Sequence, residues 1–379
     1  MKSVLVIGNP NSLWFKYYIE QILLKNEEFE ISIQLNSNSE CMYRDFYTKF
    51  GINMDCNYSL NKHMMNIPKI RALYVLYKRI VAIKKKYDCV IVFSSTIDNL
   101  IVAQHAKKKN GKMIDIVIGS DILRARRSAL KLIDRVLVNN KSIIVCSAQK
   151  QANYMSQNMS CAKKLGILVI GFGLVSLSLI DQYRKGRLID YKRKFGFLEN
   201  TITVCIGYNG SCCQQHEKVI EALASLGQEE KQRIVLVLPM TYSLSESYYK
   251  RIALKLESHG FHFSILKRFM DQDEMAKLWL STDIFINSQS TDAMSASLVE
   301  CIYAGAYVIN ASWLKYPELD NLNIKLDCFD DFNELPNIIT KYLSSSHSRD
   351  YSNCAKIGKY GMPQFLSKWK ELFIKESLI

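Results

Sequence analysis

The stretch Asp283-Ile284-Phe285-Ile286-Asn287-Ser288-Gln289-Ser290-Thr291-Asp292-Ala293-Met294-Ser295-Ala296-Ser297-Leu298-Val299-Glu300, continuing through Ala304-Gly305 into Tyr307-Val308-Ile309, decides the fold. A short apolar run, a segment of small polar residues, a helical pattern and a second apolar run predict strand, helix, strand, the unit of a parallel sheet. The helix is expected to open at Thr291 or Asp292. An eight-residue helical step then brings Glu300 back to within about 80° of Asp292 and raises it roughly 12 Å, so the two acids share a side at different heights. The helix start offers unpaired N–H groups, and the small side chains of Ala293, Ser295, Ala296 and Ser297 leave room for a diphosphate to approach the backbone. The alternative is that Thr291 or Asp292 is an N-cap and Glu300 a solvated helix carboxylate.

The same alternation runs through the whole chain. Strands are predicted at 3–7, 30–35, 89–93, 113–118 and 143–146, with helices over 13–24 and 70–85. A short strand at 168–173 ends in Gly171-Phe172-Gly173, a hinge signal. A second series has strands at 201–206, 233–238, 262–266, 283–286 and 307–310, and helices over 216–226, 245–259 and 273–280. The fold class is therefore α/β, with two tandem doubly wound domains and ligand binding expected at the carboxyl ends of the strands, in the cleft between the domains. The expected boundaries are 1–171 and 172–362. An amphipathic helix over 363–379, with Phe365, Trp369, Leu372 and Phe373 on one side, is expected to pack back on the first domain.

Composition narrows the function classes. The 379 residues are 48% apolar but contain no apolar run of 18 residues, and the start, Met1-Lys2-Ser3-Val4-Leu5-Val6-Ile7-Gly8, reads as a first strand rather than a signal peptide. A cytoplasmic protein is expected. Eleven cysteines without a repeated C-x-x-C frame fit reduced thiols, and Cys212-Cys213 with His216 lacks a second ligand pair, so no metal site is expected. Residues 1–170 hold 26 Lys+Arg against 12 Asp+Glu, whereas residues 171–379 balance 24 against 24. This basic half, with Lys84-Lys85-Lys86, Lys107-Lys108-Lys109 and Arg124, Arg126 and Arg127, would attract an anionic membrane surface carrying a lipid-linked substrate, or form a solvated face.

The eight-residue spacing of Asp292 and Glu300 ahead of Ala304-Gly305 and a strand resembles the retaining glycosyltransferases of the GT-B fold, family 4, with Asp in place of the first Glu. Phe269-Met270-Asp271-Gln272-Asp273-Glu274 resembles the segment before their donor-site strand, and Val204-Cys205-Ile206-Gly207 the opening of their donor domain. The resemblance covers 201–312 by motif and the first domain by layout. It implies that Asp292 contacts the sugar of a nucleotide-sugar donor (UDP-, GDP- or dTDP-linked), that Glu300 binds the ribose, and that backbone amides near Thr291, Met294 and Ser295 hold the diphosphate, with no other cofactor. Where this family usually carries Arg and Lys, the chain has Tyr208 and Gln214. The string Gly207-Tyr208-Asn209-Gly210-Ser211-Cys212-Cys213-Gln214-Gln215-His216 looks more like transferases that build lipid-linked surface polysaccharides of O-antigen or capsule type. The resemblance thus implies transfer to a lipid-linked oligosaccharide by a protein peripheral to the inner face of the plasma membrane.

Asn209, Gly210, His216, Lys267 and Arg268 complete the expected donor side. His216, Lys267 and Arg268 are the candidate cations for the diphosphate, against ordinary capping or loop roles. In the first domain Asp121 follows a predicted strand and is expected to contact a sugar hydroxyl, or to act as a turn residue. Gly8, Asn9 and Ser120 line the acceptor side. Asp271-Gln272-Asp273 has a metal-binding form, but helix capping explains it better. Two other functions remain: a nucleotide-sugar epimerase of the same fold, and a basic nucleic-acid-binding protein, for which no binding motif accompanies the charges.

Overall fold

The structure is a computed structural model describing residues 1–35, 43–50, 53–55, 68–346 and 348–379. The chain divides into two compact units, Met1–Phe172 with Phe365–Ile379, and Gly173–Gln364.

The first unit is a parallel sheet ordered β3-β2-β1-β4-β5-β6-β7, formed by β1 (Lys2–Gly8), β2 (Phe29–Leu35), β3 (Asn53–Asp55), β4 (Tyr87–Phe93), β5 (Lys107–Val117), β6 (Ile143–Cys146) and β7 (Leu168–Val169). Helices cover both faces, which explains why Val4-Leu5-Val6-Ile7 is apolar without alternation: Val4 and Val6 enter one buried cluster, Leu5 and Ile7 the other. Chain order reverses between β1 and β4, which pair directly (Val4 with Cys89, Val6 with Ile91). The helix Met362–Lys375 supplies Trp369 and Phe373 to this unit's core, their rings 4.7 Å from Tyr18 and 5.4 Å from Phe29.

The second unit is a parallel sheet ordered β10-β9-β8-β11-β12-β13, from β8 (Ile202–Ile206), β9 (Ile234–Pro239), β10 (Phe263–Leu266), β11 (Ile284–Asn287), β12 (Tyr307–Ala311) and β13 (Asp327–Phe329). Its order reverses between β8 and β11. Three features depart from the sequence reading. The edge strands β3 and β13 have three residues each and no apolar run to announce them. β5 begins at Lys107, six residues early, with a register irregularity between Tyr87 and Cys89 that accommodates the polar start.

The third departure concerns the deciding stretch. The helix runs Ala296–Tyr303, and its N-cap is Ser295, whose hydroxyl accepts from Leu298 N–H at 3.2 Å. Asp292 therefore lies in the loop before the helix, so the helical arithmetic relating it to Glu300 does not apply. A serine at the cap position satisfied the orphan donors better than the threonine or aspartate upstream.

Candidate functional site at the second sheet

In a doubly wound sheet, ligands bind where neighbouring loops diverge at the carboxyl edge. In the second unit that point lies between β8 and β11, and the two loops are stitched together there. Gln215 Nε2 donates to the Ser288 carbonyl at 2.6 Å, the Ser288 hydroxyl to the Gln214 carbonyl at 2.8 Å, and Ser290 N–H to the Cys213 carbonyl at 2.8 Å. Gly207 has φ +63°, and a Cβ there would lie 2.7 Å from Gln214 Oε1, so only glycine permits this approach.

A second network comes from β12. Asn287 and Asn310 occupy paired positions at the ends of β11 and β12. Asn287 Nδ2 donates to Asn310 Oδ1 at 2.8 Å and to the Tyr316 hydroxyl at 2.9 Å, and that hydroxyl donates to Asp292 Oδ2 at 2.9 Å. Tyr208 donates to Gln289 Oε1 at 3.2 Å, while Trp313 Nε1 holds the Gln289 carbonyl at 2.9 Å. Burial first, and the Asp292 carboxylate next, raise the Tyr208 and Tyr316 hydroxyls above their ordinary range, so both remain O–H donors. Gln214 Oε1, Gln289 Nε2 and Asn287 Oδ1 are buried without hydrogen-bond partners among the described residues. Natural proteins seldom leave such groups unpaired, and here three gather at the point where the sheet would receive a ligand. They suit the hydroxyl and amide groups of a polar ligand.

The expected site residues fare differently. Thr291 is exposed, Met294 half-buried and Ser295 buried beside Asp292. Asn209 accepts from Ser211 N–H at 2.9 Å and reaches the Tyr242 hydroxyl at 3.5 Å; Gly210 N–H donates to the Tyr242 carbonyl at 2.8 Å. These two shape the β8 loop.

Glu300 needs correction: it is 7% exposed, its carboxylate accepting from Trp279 Nε1 at 2.8 Å and from the Ser176 hydroxyl. Burial raises its pKa, with both hydrogen bonds opposing. This carboxylate ties its own helix to those of Trp279 and Ser176, because an apolar interior makes an unpaired acid costly. It is not presented to a ribose.

Two of the three candidate cations, His216 and Arg268, also need correction. His216 is fully buried, its Nδ1 is 3.2 Å from the Tyr248 hydroxyl, and burial lowers its pKa to about 4, so the ring is neutral near pH 7. Arg268 forks onto Glu274 at 2.5 and 3.1 Å, and Lys267 lies over the Tyr249 ring at 4.1 Å. Asp271 accepts from Glu274 N–H at 2.8 Å as a helix cap.

In the first unit Asp121 takes its alternative role. Its oxygens accept from the backbone N–H groups of Gly119 (2.7 Å), Ser95 (2.8 Å), Ile118 and Ile122 (3.1 Å each), filling the carboxylate and fixing the loops after β4 and β5. It has no lone pair left for a sugar. Gly8 closes β1 where the Phe15 ring would stand 2.6 Å from a Cβ, and Asn9 accepts from Asn11 N–H at 3.0 Å in a turn. Ser120 begins the short helix Ser120–Leu123.

The basic runs separate along β5. Lys84–Lys86 and Lys107–Lys109 lie at the amino-terminal edge of the first sheet, where Lys85 meets Glu30 at 2.5 Å and Lys108 meets Asp88 at 2.7 Å; Arg124, Arg126 and Arg127 follow its carboxyl edge. A cavity of about 340 Å³ in the second unit opens at the amino-terminal edge of that sheet. There Asp283 binds Lys192 at 2.6 Å and Arg349 at 3.2 Å, so its charges hold the unit's frame. Among the described residues, no helix is long and apolar enough to cross a membrane.

Sequence reasoning missed Tyr316, Gln289, Asn287 and Asn310. The available signal was asparagine at equivalent ends of two adjacent apolar strands, and polar residues just beyond them.

Two doubly wound parallel sheets in one chain, each reversing at its first strand, define the GT-B fold. Its structural neighbours are GT-B glycosyltransferases. Anabaena HepE, solved with UDP and glucose, matches at a TM-score of 0.74 and 14% identity, over 99% of this chain and 100% of that one. A glycosyltransferase from Rickettsia africae matches at 0.73 and 15%, over 99% and 98%. Sucrose-phosphate synthase from Thermosynechococcus elongatus matches at 0.71 and 12%, over the full length of both chains. No protein-family model and no curated protein sequence matches the chain.

Proposed function

We propose that the protein is a glycosyltransferase that takes a sugar from a nucleotide-sugar donor, UDP-linked in the first instance, and transfers it with retention to a lipid-linked saccharide acceptor. One observation carries the reading: the loops after β8 and β11 are bound together at the sheet's reversal, with Asp292 held by Tyr316 and unpaired amide groups gathered around them. HepE, solved with UDP and glucose, supports the choice of nucleotide.

In this reading Asp292 and Gln289 receive the sugar hydroxyls, and the amides near Met294 and Ser295 receive the diphosphate at the start of the helix Ala296–Tyr303. Oriented N–H dipoles stabilise the charge that grows on the departing diphosphate without requiring a metal. Tyr208 stands where a side-chain cation would, but its one proton goes to Gln289 Oε1, so the charge of the diphosphate falls to the amides at the helix start. The acceptor is received by the first unit's strand-end loops around Gly8, Asn9 and Ser120, and that unit's positive charge favours work at the inner face of the plasma membrane, as a step of surface-polysaccharide synthesis.

A thermal-shift panel of UDP-, GDP- and dTDP-sugars tests the donor reading, because a ligand that binds only the native state raises its melting temperature. Stabilisation by one nucleotide series is expected, unaffected by excess chelator. The absence of any shift would contradict the reading, and turnover restored only by magnesium or manganese would contradict the metal-free mechanism. Conversion of the donor without acceptor would instead identify an epimerase.

A further inference from the structure

The helix Pro68–Val81 in the first unit has two apolar faces, although its domain uses only one. Leu76 and Ile80 pack on the buried cluster beneath the sheet. Between them Arg79 is fully buried, its guanidinium bound to Asp98 at 2.6 Å and Asn99 at 2.7 Å, while its carbonyl accepts from Gln34 Nε2 at 2.7 Å. These bonds fix the helix's rotation and therefore what it presents outward. That face carries Ile70, Leu73, Tyr77 and Val81, respectively 41, 68, 60 and 47% exposed. Their spacing of three, four and four residues aligns them in one stripe along the helix.

An exposed apolar stripe on a helix already anchored to its core calls for a partner. Its chemical setting identifies one. Arg71 and Lys84 are exposed on or just beyond the helix, within a half-chain carrying 26 basic against 12 acidic side chains. A second copy docking through the stripe would bring two strongly positive surfaces together, whereas an anionic lipid surface neutralises them. We infer that this stripe is the membrane-seating surface of the protein, with Leu73 and Tyr77 entering the headgroup layer and Lys84 and Arg71 meeting lipid phosphates.

The inference rests on the reading of a lipid-linked acceptor and adds to it a particular helix and an apolar component that charge alone would not supply. Electrostatic attraction falls as salt screens it, whereas insertion of Leu73 and Tyr77 persists. Vesicle co-sedimentation of the full chain and of the Leu73→Glu/Tyr77→Glu variant tests it, using phosphatidylcholine vesicles with and without phosphatidylglycerol. Both altered side chains are exposed, and circular dichroism checks that the fold is kept. The wild type is expected to sediment with the phosphatidylglycerol vesicles and retain part of that binding at high salt, and the variant to bind at least about tenfold more weakly. Equal binding by both proteins, or no wild-type binding, would overturn the inference. So would sedimentation velocity showing a wild-type dimer that the variant abolishes, since a second copy would then cover the stripe. UDP-glucose titration of the same proteins judges the donor site separately, because neither substitution lies in the second unit.

Discussion

The Tyr316 hydroxyl donates to Asp292 Oδ2 at 2.9 Å while accepting from Asn287 Nδ2 at the same distance. The chain thus aims a loop carboxylate by anchoring it, through one phenol, to the end of β11. Tyr316→Phe removes the aim and leaves the acid. It should cost about 1–2 kcal/mol in affinity for a nucleotide sugar, roughly tenfold, while affinity for the bare nucleotide stays constant. Calorimetric titration with both ligands checks this, and parallel losses would mean that the loop had simply lost its structure.

Stability should depend on pH through two buried groups acting in opposite directions. Asp115, buried in β5, has its pKa raised to about 7 from 3.8 by burial, opposed by the Ser95 hydrogen bond at 2.6 Å and reinforced by the Asp121 charge. A raised acid stabilises fully below its unfolded value and loses that contribution as pH rises through about 7, a loss of up to about 4 kcal/mol. Asp115→Asn should therefore be more stable than wild type at about pH 8, with the advantage gone near pH 4. Urea midpoints at both pH values decide it; an advantage that does not grow with pH would contradict the assignment.

His216 runs the other way. Its pKa is lowered to about 4 from 6.5, so its contribution is present above 6.5 and is lost as pH falls through 4, by about 3 kcal/mol. In an Asp115→Asn background, stability should fall as pH drops across that window. His216 titrating near 6.5 by proton NMR would show that the ring is more solvated than its packing against Tyr248 indicates.

Gly207→Ala places a methyl 2.7 Å from Gln214 Oε1 at φ +63°. The strain should destabilise the second unit by about 1–3 kcal/mol and displace Gln214 from the loop. A melting temperature unchanged within error would mean that the β8 loop can rearrange, and that the close approach is not required.

Arg268→Ala should leave nucleotide affinity unchanged, because the guanidinium is exposed and paired with Glu274. A tenfold loss in a nucleotide titration would instead return Arg268 to the diphosphate.

Both sheets were legible because their strands are buried on two faces: Val4–Ile7 and Ile284–Ile286 announce themselves as unbroken apolar runs. For the loop holding Asp292 the expected geometry was wrong. Spacing alone placed Asp292 and Glu300 on one helix, and could not show that Ser295 would cap it or that Trp279, from the preceding helix, would claim Glu300. Asp121 was ambiguous for a related reason: an aspartate after a strand serves equally as ligand or as loop brace, and only the positions of four backbone amides decide between them. Tyr316 lies 24 residues from Asp292, and only the adjacency of β11 and β12 brings them together.

The most direct test is calorimetric titration of wild type and Asp292→Ala with UDP-glucose and with UDP. The wild type should bind both. The variant should keep its affinity for UDP and lose at least about tenfold for UDP-glucose, because the loss is confined to the sugar. Equal affinity of both proteins for UDP-glucose, or failure of the wild type to bind any nucleotide sugar, would contradict the central claim that Asp292, held by Tyr316, receives the donor sugar.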